Sequence, residues 1–445
     1  MNLRRWLTPG IGIKRWMLLV FVGLLLLALA FAYAFRQATR ELKPGGISET
    51  LIDLLTLSFL PAPARVFVVA GIGLACVAVG AVMVIRAFMN PFRSDDGRQP
   101  LVEVIYQKRF LDRGPRIVTI GGGTGLSTLL RGLKEHTSHL TAVVTVADDG
   151  GSSGVLRSEL GIPPVGDIRN CIAALADSET MMDRVLQYRF PDEGSGGDGQ
   201  GLAGHAMGNL LIAAMTAVEN GDFEEGVRRI NRILAVRGQV VPVSATPLTL
   251  HARLQDGQEV EGQSTIMRTS GIERVWLSPD DVLPSDDALE AIADAELIVL
   301  GPGSLFTSLL PSLLIPGIRD AVAVAPGPKV YVCNVATQAG ETTGFHLAAH
   351  LEALIAHTQP GLVDVVLANT HFDARIPDDW TAQPVGLRWP PQLEPVPRLV
   401  LEHVVDPENA HHHDPERLAA ALIAILERET RLRRRTVGRA ASRTA

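Results

Sequence analysis

RIVTIGGGTGLSTLLRGLKE occupies residues 116–135. Its first five residues are a short apolar run of strand type. Leu126, Leu129, Leu130 and Leu133 then recur on one face of a helix. The glycines between them free backbone N–H groups at the positive end of that helix, a place suited to an anion. The plainer reading is a tight strand-to-helix turn, and a run of three glycines at the first strand end favours the anion. Three known glycine loops fail against it. A dinucleotide fingerprint needs a sixth-position glycine, but counting from Gly121 gives Leu126 and from Gly123 gives Thr128. A P-loop ends in Gly-Lys-Ser/Thr, and no lysine is present at 121–130. The tubulin signature places a small residue and a further glycine where this chain has Leu126 and Ser127.

Outward from this stretch, apolar runs alternate with helical segments. TAVVTVA (141–147), LIVL (297–300), KVYVCNV (329–335), VDVVLAN (363–369) and LVLEHVV (399–405) read as strands, and a closing helix begins near 415. Strands spaced by helices predict an α/β fold, a Rossmann-like, doubly wound, mostly parallel sheet. LTLHARLQDGQEVEGQ (248–263) alternates about a QDGQ turn and predicts a small antiparallel insertion.

The N-terminal quarter is of another kind. Residues 16–35 and 66–85 are uncharged and long enough to span a bilayer. They predict two transmembrane helices in a hairpin covering 1–90, then a linker over 91–112, a domain over 113–430 and a basic tail over 431–445. Arg4, Arg5, Lys14 and Arg15 before the first span, and Arg86, Arg93 and Arg98 after the second, favour cytoplasmic ends. Arg36, Arg40, Lys43 and Arg65 in the loop between oppose them. Three widely spaced cysteines, Cys76, Cys171 and Cys333, fit a reducing compartment, and with the chemistry of the loops below they decide for an inner-membrane protein with its large domain cytoplasmic. Segment 49–60 reads either as a surface-lying amphipathic helix or as a connector. The arginine-rich tail reads as a solvated segment or as one drawn to anionic lipid. A net charge of −7 and 5% aromatics argue against a nucleic-acid partner.

Polar loops follow several strands, the place where doubly wound folds bind ligands. GGGTG offers Gly122, Gly123, Thr124 and Gly125. VADDGGSSG (146–154) offers Asp148 and Asp149, which point to opposite sides if extended, then Gly150, Ser152 and Ser153. PPVGDIRN (163–170) gives Asp167 as a helix cap, with Arg169 and Asn170 beside it. Arg169 opposes the helix dipole in the first turn and needs an anionic partner. GHAMGN puts His205 and Asn209 on one helix face. GPGSLFTS (301–308) adds Gly303 and Ser304, the latter as cap or phosphate donor, and NVATQAGETTG (334–344) adds Asn334, Thr337 and Gln338. AHHHD at 410–414 reads as solvated histidines rather than a metal site.

GGGTGLSTLLRGLK, VTVADDGGSSGVLRSELGIPPVGDIRN, GHAMGNLL, GPGSLFTSLLPSLLIPGI and CNVATQAGETTGF, in this order, resemble the gluconeogenesis factor family. That family is similar in turn to 2-phospho-L-lactate transferases. The resemblance spans about 113–430. It implies a Rossmann-like fold, a UDP-sugar ligand such as UDP-N-acetylglucosamine on Gly122–Gly125, roles in carbon use and cell shape, and a homo-oligomer. No cofactor is required for binding. A transferase would use Asp148 or Asp149, with Mg²⁺ on Asp149. The family's Arg-His-Asp run reads His412-His413-Asp414 here, and no tyrosine follows Tyr331.

Overall fold

A computed structural model describes residues 110–444 except 177–178, 192–200, 373–381 and 391–392, together with positions 24, 28 and 61, and gives 433–444 as backbone. The spans expected at 16–35 and 66–85, segment 49–60 and most of the linker lie outside the described residues. Among the described residues no single helix is long and apolar enough to cross a membrane.

Seven strands form one parallel sheet: β1 (Ile117–Gly121), β2 (Leu140–Val144), β3 (Gln239–Pro242), β7 (Leu297–Leu300), β8 (Lys329–Val332), β9 (Val365–Asn369) and β10 (Arg398–Glu402). β4 (Thr249–Leu254), β5 (Glu259–Glu261) and β6 (Ile272–Ser278) form the expected antiparallel insertion, and β11 (Val405–Asp406) pairs with β12 (Asn409–His413) in a separate hairpin. Every residue of β1, β2, β7, β8 and β9 is buried, as a parallel sheet covered on both faces requires. The connecting helices are α1 (Gly123–Leu133), α2 (Gly151–Leu160), α3 (Gly166–Leu175), α4 (Glu179–Gln187), α5 (Met207–Val218), α6 (Phe223–Ile233), α7 (Gln263–Ile266), α8 (Asp286–Ala293), α9 (Leu310–Leu313), α10 (Pro316–Val324), α11 (Leu347–His357) and α12 (Pro415–Thr444).

The sheet order is β10-β9-β8-β7-β1-β2-β3. The chain winds from β1 to β3 on one side and then returns to β7 on the other side of β1. The order therefore reverses between β1 and β7, and a crevice opens beyond their carboxyl ends. There the two glycine loops touch. A Cβ on Gly125 would lie 3.0 Å from the Gly303 nitrogen and from the Pro302 carbonyl carbon and oxygen.

The loop after β7 is held by a buried acid. It leads into a single π-helical turn, Leu305–Leu309, which runs on into α9. Glu341 accepts the N–H groups of Phe306 (2.6 Å) and Thr307 (3.1 Å) and the Thr307 hydroxyl (3.0 Å). These are donors that a helix start leaves orphaned. Burial raises the Glu341 pKa to about 7 against the pull of these bonds.

α1 packs on α12 through Gly132, where a Cβ would stand 1.9 Å from the Pro415 carbonyl oxygen. On an open helix, glycine to alanine gains about 1 kcal/mol. Here overpacking against backbone reverses the sign, so Gly132→Ala is expected to lose roughly 1–3 kcal/mol, seen as a lower melting temperature in circular dichroism.

Glu341 gives a second expected outcome. Its folded pKa lies above the carboxylate's ordinary 4.5, so between pH 4.5 and 7 the folded state holds a proton that the unfolded state has lost. Its contribution is full below 4.5 and fades as pH rises to 7. Buried His350 and His413, both lowered to about 4, work in the opposite direction between 4 and 6.5 and are common to both proteins compared. The stability of wild type relative to Glu341→Gln is therefore expected to fall across pH 4.5–7 and to stay level above. Urea melts of the two proteins at stepped pH measure it.

Candidate functional site

A cleft of about 800 Å³ lies at the carboxyl ends of the strands. Gly123, Thr124, Gly125, Asp148, Gly150, Ser152, Ser153, Asp167, Arg169, Asn170, Asn209, Gly303, Ser304, Asn334, Thr337 and Gln338 all line it. Gly122, Asp149 and His205 do not stand on its wall.

Gly123 opens α1 at φ +69°, a conformation that favours glycine. Its N–H goes to the Asp167 carboxylate, which sits so close behind the loop that a Cβ on Gly122 would be 2.3 Å from Oδ2. Gly122 thus makes room for an acid rather than for a ligand. Asp167 is not a helix cap either. α3 begins at Gly166 with Val165 in the cap position, and the Asp167 side chain reaches across to α1 instead. Burial, then the charge of Asp148, raises its pKa to about 6.

The acidic pair divides. Asp148 faces the cleft, where its Oδ1 accepts the Gly150 N–H at 2.9 Å and Ser153 also bonds to it. Burial raises its pKa, and Asp149 adds to the rise. Asp149 turns to the insertion, where Oδ1 accepts the Ser264 N–H of α7 at 2.8 Å. Asp149, expected to hold a metal, tethers the insertion through Oδ1 and stands off the cleft wall. Asp167 lines the same cleft as Asp148 and feels its charge. Among the described residues no three His, Cys, Asp or Glu groups gather closely enough to hold a metal on their own.

On the β2 side, Arg169 is 6% exposed. Its Nη1 donates to Asn209 Oδ1 (3.1 Å) and its Nη2 to Asn170 Oδ1 (2.9 Å), which also accepts from Gln187. Burial works against the charge of Arg169, and the nearby Asp167 and Asp148 favour it. Asn209 donates to Ser152 Oγ at 3.0 Å, and His205 Nδ1 lies 2.9 Å from the same oxygen. His205 therefore supports Ser152 from behind.

On the β7 side, Asn334 grips Gly303 at both backbone groups: Oδ1 accepts its N–H (3.2 Å) and Nδ2 donates to its carbonyl (2.9 Å). Ser304 takes the cap position before the π turn without capping it, because its hydroxyl donates to Gln338 Oε1 at 2.6 Å. Thr337 is tied to Gln383 through both N–H and hydroxyl. These polar residues therefore shape one wall.

Sequence reasoning missed Thr128, Arg189, Gln263, Ser264, Met267, Ser308 and the three histidines of β12. His411, His412 and His413 all reach the cleft, and His413 is buried with Nε2 3.3 Å from the Cys333 carbonyl oxygen. Their signal was present in AHHHD but was read as solvated. The hairpin that turns them inward depends on pairing with β11.

Comparison with known proteins places this architecture. The family model for 2-phospho-L-lactate transferase CofD matches residues 117–383. A relative from Nostoc sp. is 40% identical over 431 residues, covering 94% of this chain and 91% of its own. The gluconeogenesis factor of Bacillus subtilis is 43% identical over 326 residues, which is 70% of this chain and 98% of that protein. A crystal structure of a Bacillus halodurans protein superposes with a TM-score of 0.63 at 42% identity, over 70% of this chain and 99% of its own. Similarity of this extent, across the loops that build the cleft, means that the chain belongs to the gluconeogenesis factor family, related to the 2-phospho-L-lactate transferases.

Proposed function

We propose that the cleft binds a nucleotide sugar of the UDP-N-acetylglucosamine type and that the protein is a regulatory binder. It would link growth on gluconeogenic carbon to envelope synthesis and cell shape. The meeting of the glycine loops of β1 and β7 at the point where strand order reverses carries this reading. Backbone N–H groups at a helix start suit a diphosphate, and the close approach of Gly125 to Gly303 leaves no side chain in its way. The cleft volume falls within the range of small-molecule sites. The same reading places the protein at the inner membrane through residues 1–90, with this domain on the cytoplasmic side and as a homo-oligomer.

A transferase is the second reading, favoured by the acidic pair at the cleft floor. Asp148 and Asp167 both line the ligand space, and the charge of Asp148 adds to burial in raising the proton affinity of Asp167. Two carboxylates suffice for Mg²⁺ that completes its shell with water and diphosphate oxygens. Bound there, the ion would supply electrostatic stabilisation of a breaking phosphoanhydride. Asp148 would hold it on the serine side and Asp167 on the glycine side.

Titration calorimetry of the full-length protein with UDP-N-acetylglucosamine is expected to show binding. Gly125→Val, whose side chain would fill the contact with Gly303, is expected to weaken it by at least about tenfold, the loss of roughly 1.4 kcal/mol. Binding with no release of uridine monophosphate supports the regulator. Release that disappears in Asp148→Asn makes it a transferase. Absence of binding to any uridine nucleotide sugar would sink the leading reading.

A further inference from the structure

The parallel sheet ends in β3 on one side and β10 on the other, and the chain finishes these two edges differently. At β3, the Val240 N–H donates to Asn231 Oδ1 (3.4 Å), and Asn231 Nδ2 donates to the Val240 carbonyl (2.8 Å). The amide stands in for a neighbouring strand and closes that edge. β10 has no such cover. Its bonds to β9 run through alternate residues: the Arg398 N–H donates to Asp364, and the Glu402 carbonyl accepts from Thr370. The residues between them turn their backbone the other way. The N–H and carbonyl groups of Leu399 and Leu401 therefore point off the sheet, and among the described residues nothing bonds to them.

The side chains are open as well. Strands β1, β2, β7, β8 and β9 are buried throughout, whereas no residue of β10 is. Leu401 is 44% exposed, and Val396 before the strand is 63% exposed. An open apolar edge is a template for another strand. Pro397 and the charges of Arg398 and Glu402 are common guards of such an edge, and here they also restrict what can pair with it.

RLVLE (398–402) is complementary to itself in reverse. An antiparallel second copy centred on Val400 sets Arg398 against Glu402 and Leu399 against Leu401. The two leucines, whose backbone groups are the open ones, then form hydrogen-bonded pairs. Val400 meets its own counterpart in a non-hydrogen-bonded pair, with Cα atoms about 4.5 Å apart. A parallel copy would set Arg398 beside Arg398. A slip of one residue would lose the charge match and turn one copy's leucines to the wrong face. Arg398 is already ion-paired with Glu429 of α12, so a carboxylate from the other copy would meet a guanidinium held in place.

We propose that β10 is a self-pairing edge, through which two copies of this chain join antiparallel about a two-fold axis at Val400 into one continuous sheet. The interface rests on the homo-oligomeric reading above, yet it can fail while that reading stands.

The test uses the full-length protein in detergent. Val400→Cys under mild oxidation is expected to give a covalent dimer that reductant reverses, because the paired spacing falls within disulfide range. Leu401→Cys is more exposed but is expected to cross-link far less, because its counterparts are diagonal and too far apart. Wild type is the blank, with Cys171 and Cys333 buried. Sedimentation across a dilution series gives the second readout. Glu402→Lys, which sets lysine against Arg398, is expected to raise the dimer dissociation constant at least about tenfold, and Glu402→Gln to raise it less. Circular dichroism melts should match wild type in both. Equal cross-linking at 400 and 401, no cross-link at 400, or an unchanged constant in Glu402→Lys would overturn the interface. An assembly that persists in every variant without the Val400 bond would leave the homo-oligomer standing and place its contact elsewhere. A wild type that stays monomeric would remove both, and leave the edge to a strand of another protein.

Discussion

A Cβ on Gly125 would stand 3.0 Å from the backbone of Pro302 and Gly303, tighter than side chains ordinarily pack, and the organisation of the cleft depends on that contact. It joins the loop after β1 to the loop after β7, the two strands between which the sheet order reverses. Splaying the loops apart would open the crevice floor, so each is fastened from behind. Asn334 holds both backbone groups of Gly303, and Glu341 caps the turn that follows. Asp167 fastens the other loop through the Gly123 N–H. Most of the polar side chains on these walls are spent on positioning backbone, and the backbone is left to meet the ligand.

That division explains the electrostatics. Asp148 and Asp167 line the cleft together, with proton affinities raised chiefly by burial. Acids so placed favour a proton, cation or hydroxyl of the ligand beside them. The chain's overall charge of −7 says nothing of this local order.

Much of the architecture was legible in the chain itself. Buried runs such as LIVL and KVYV and the leucine spacing after GGGTG gave strands, helices and their alternation, and QDGQ gave the antiparallel insertion. Sixteen of the residues singled out from loops meet in the cleft, because strand ends of a parallel sheet converge whatever their sequence separation. Orientation was not legible. Which of Asp148 and Asp149 faces inward is set by α7, whose Ser264 N–H draws Asp149 away over 115 positions of sequence. Asp167 looked like a local cap because capping is its commonest use, yet its partner belongs to a different helix. The histidines of β12 looked solvated because their inward turn comes from a hairpin that alternation could not reveal in five residues.

Gly132 and Pro415 give the far end of the chain a grip on the site. α1 carries the glycine loop at its start and rests on the beginning of α12 near its finish, and α12 follows directly from the β12 histidines that reach the cleft. The terminal helix is thus a lever whose fulcrum touches two walls of the crevice. A strain applied where α12 begins would therefore bear on α1 and on the β12 histidines together.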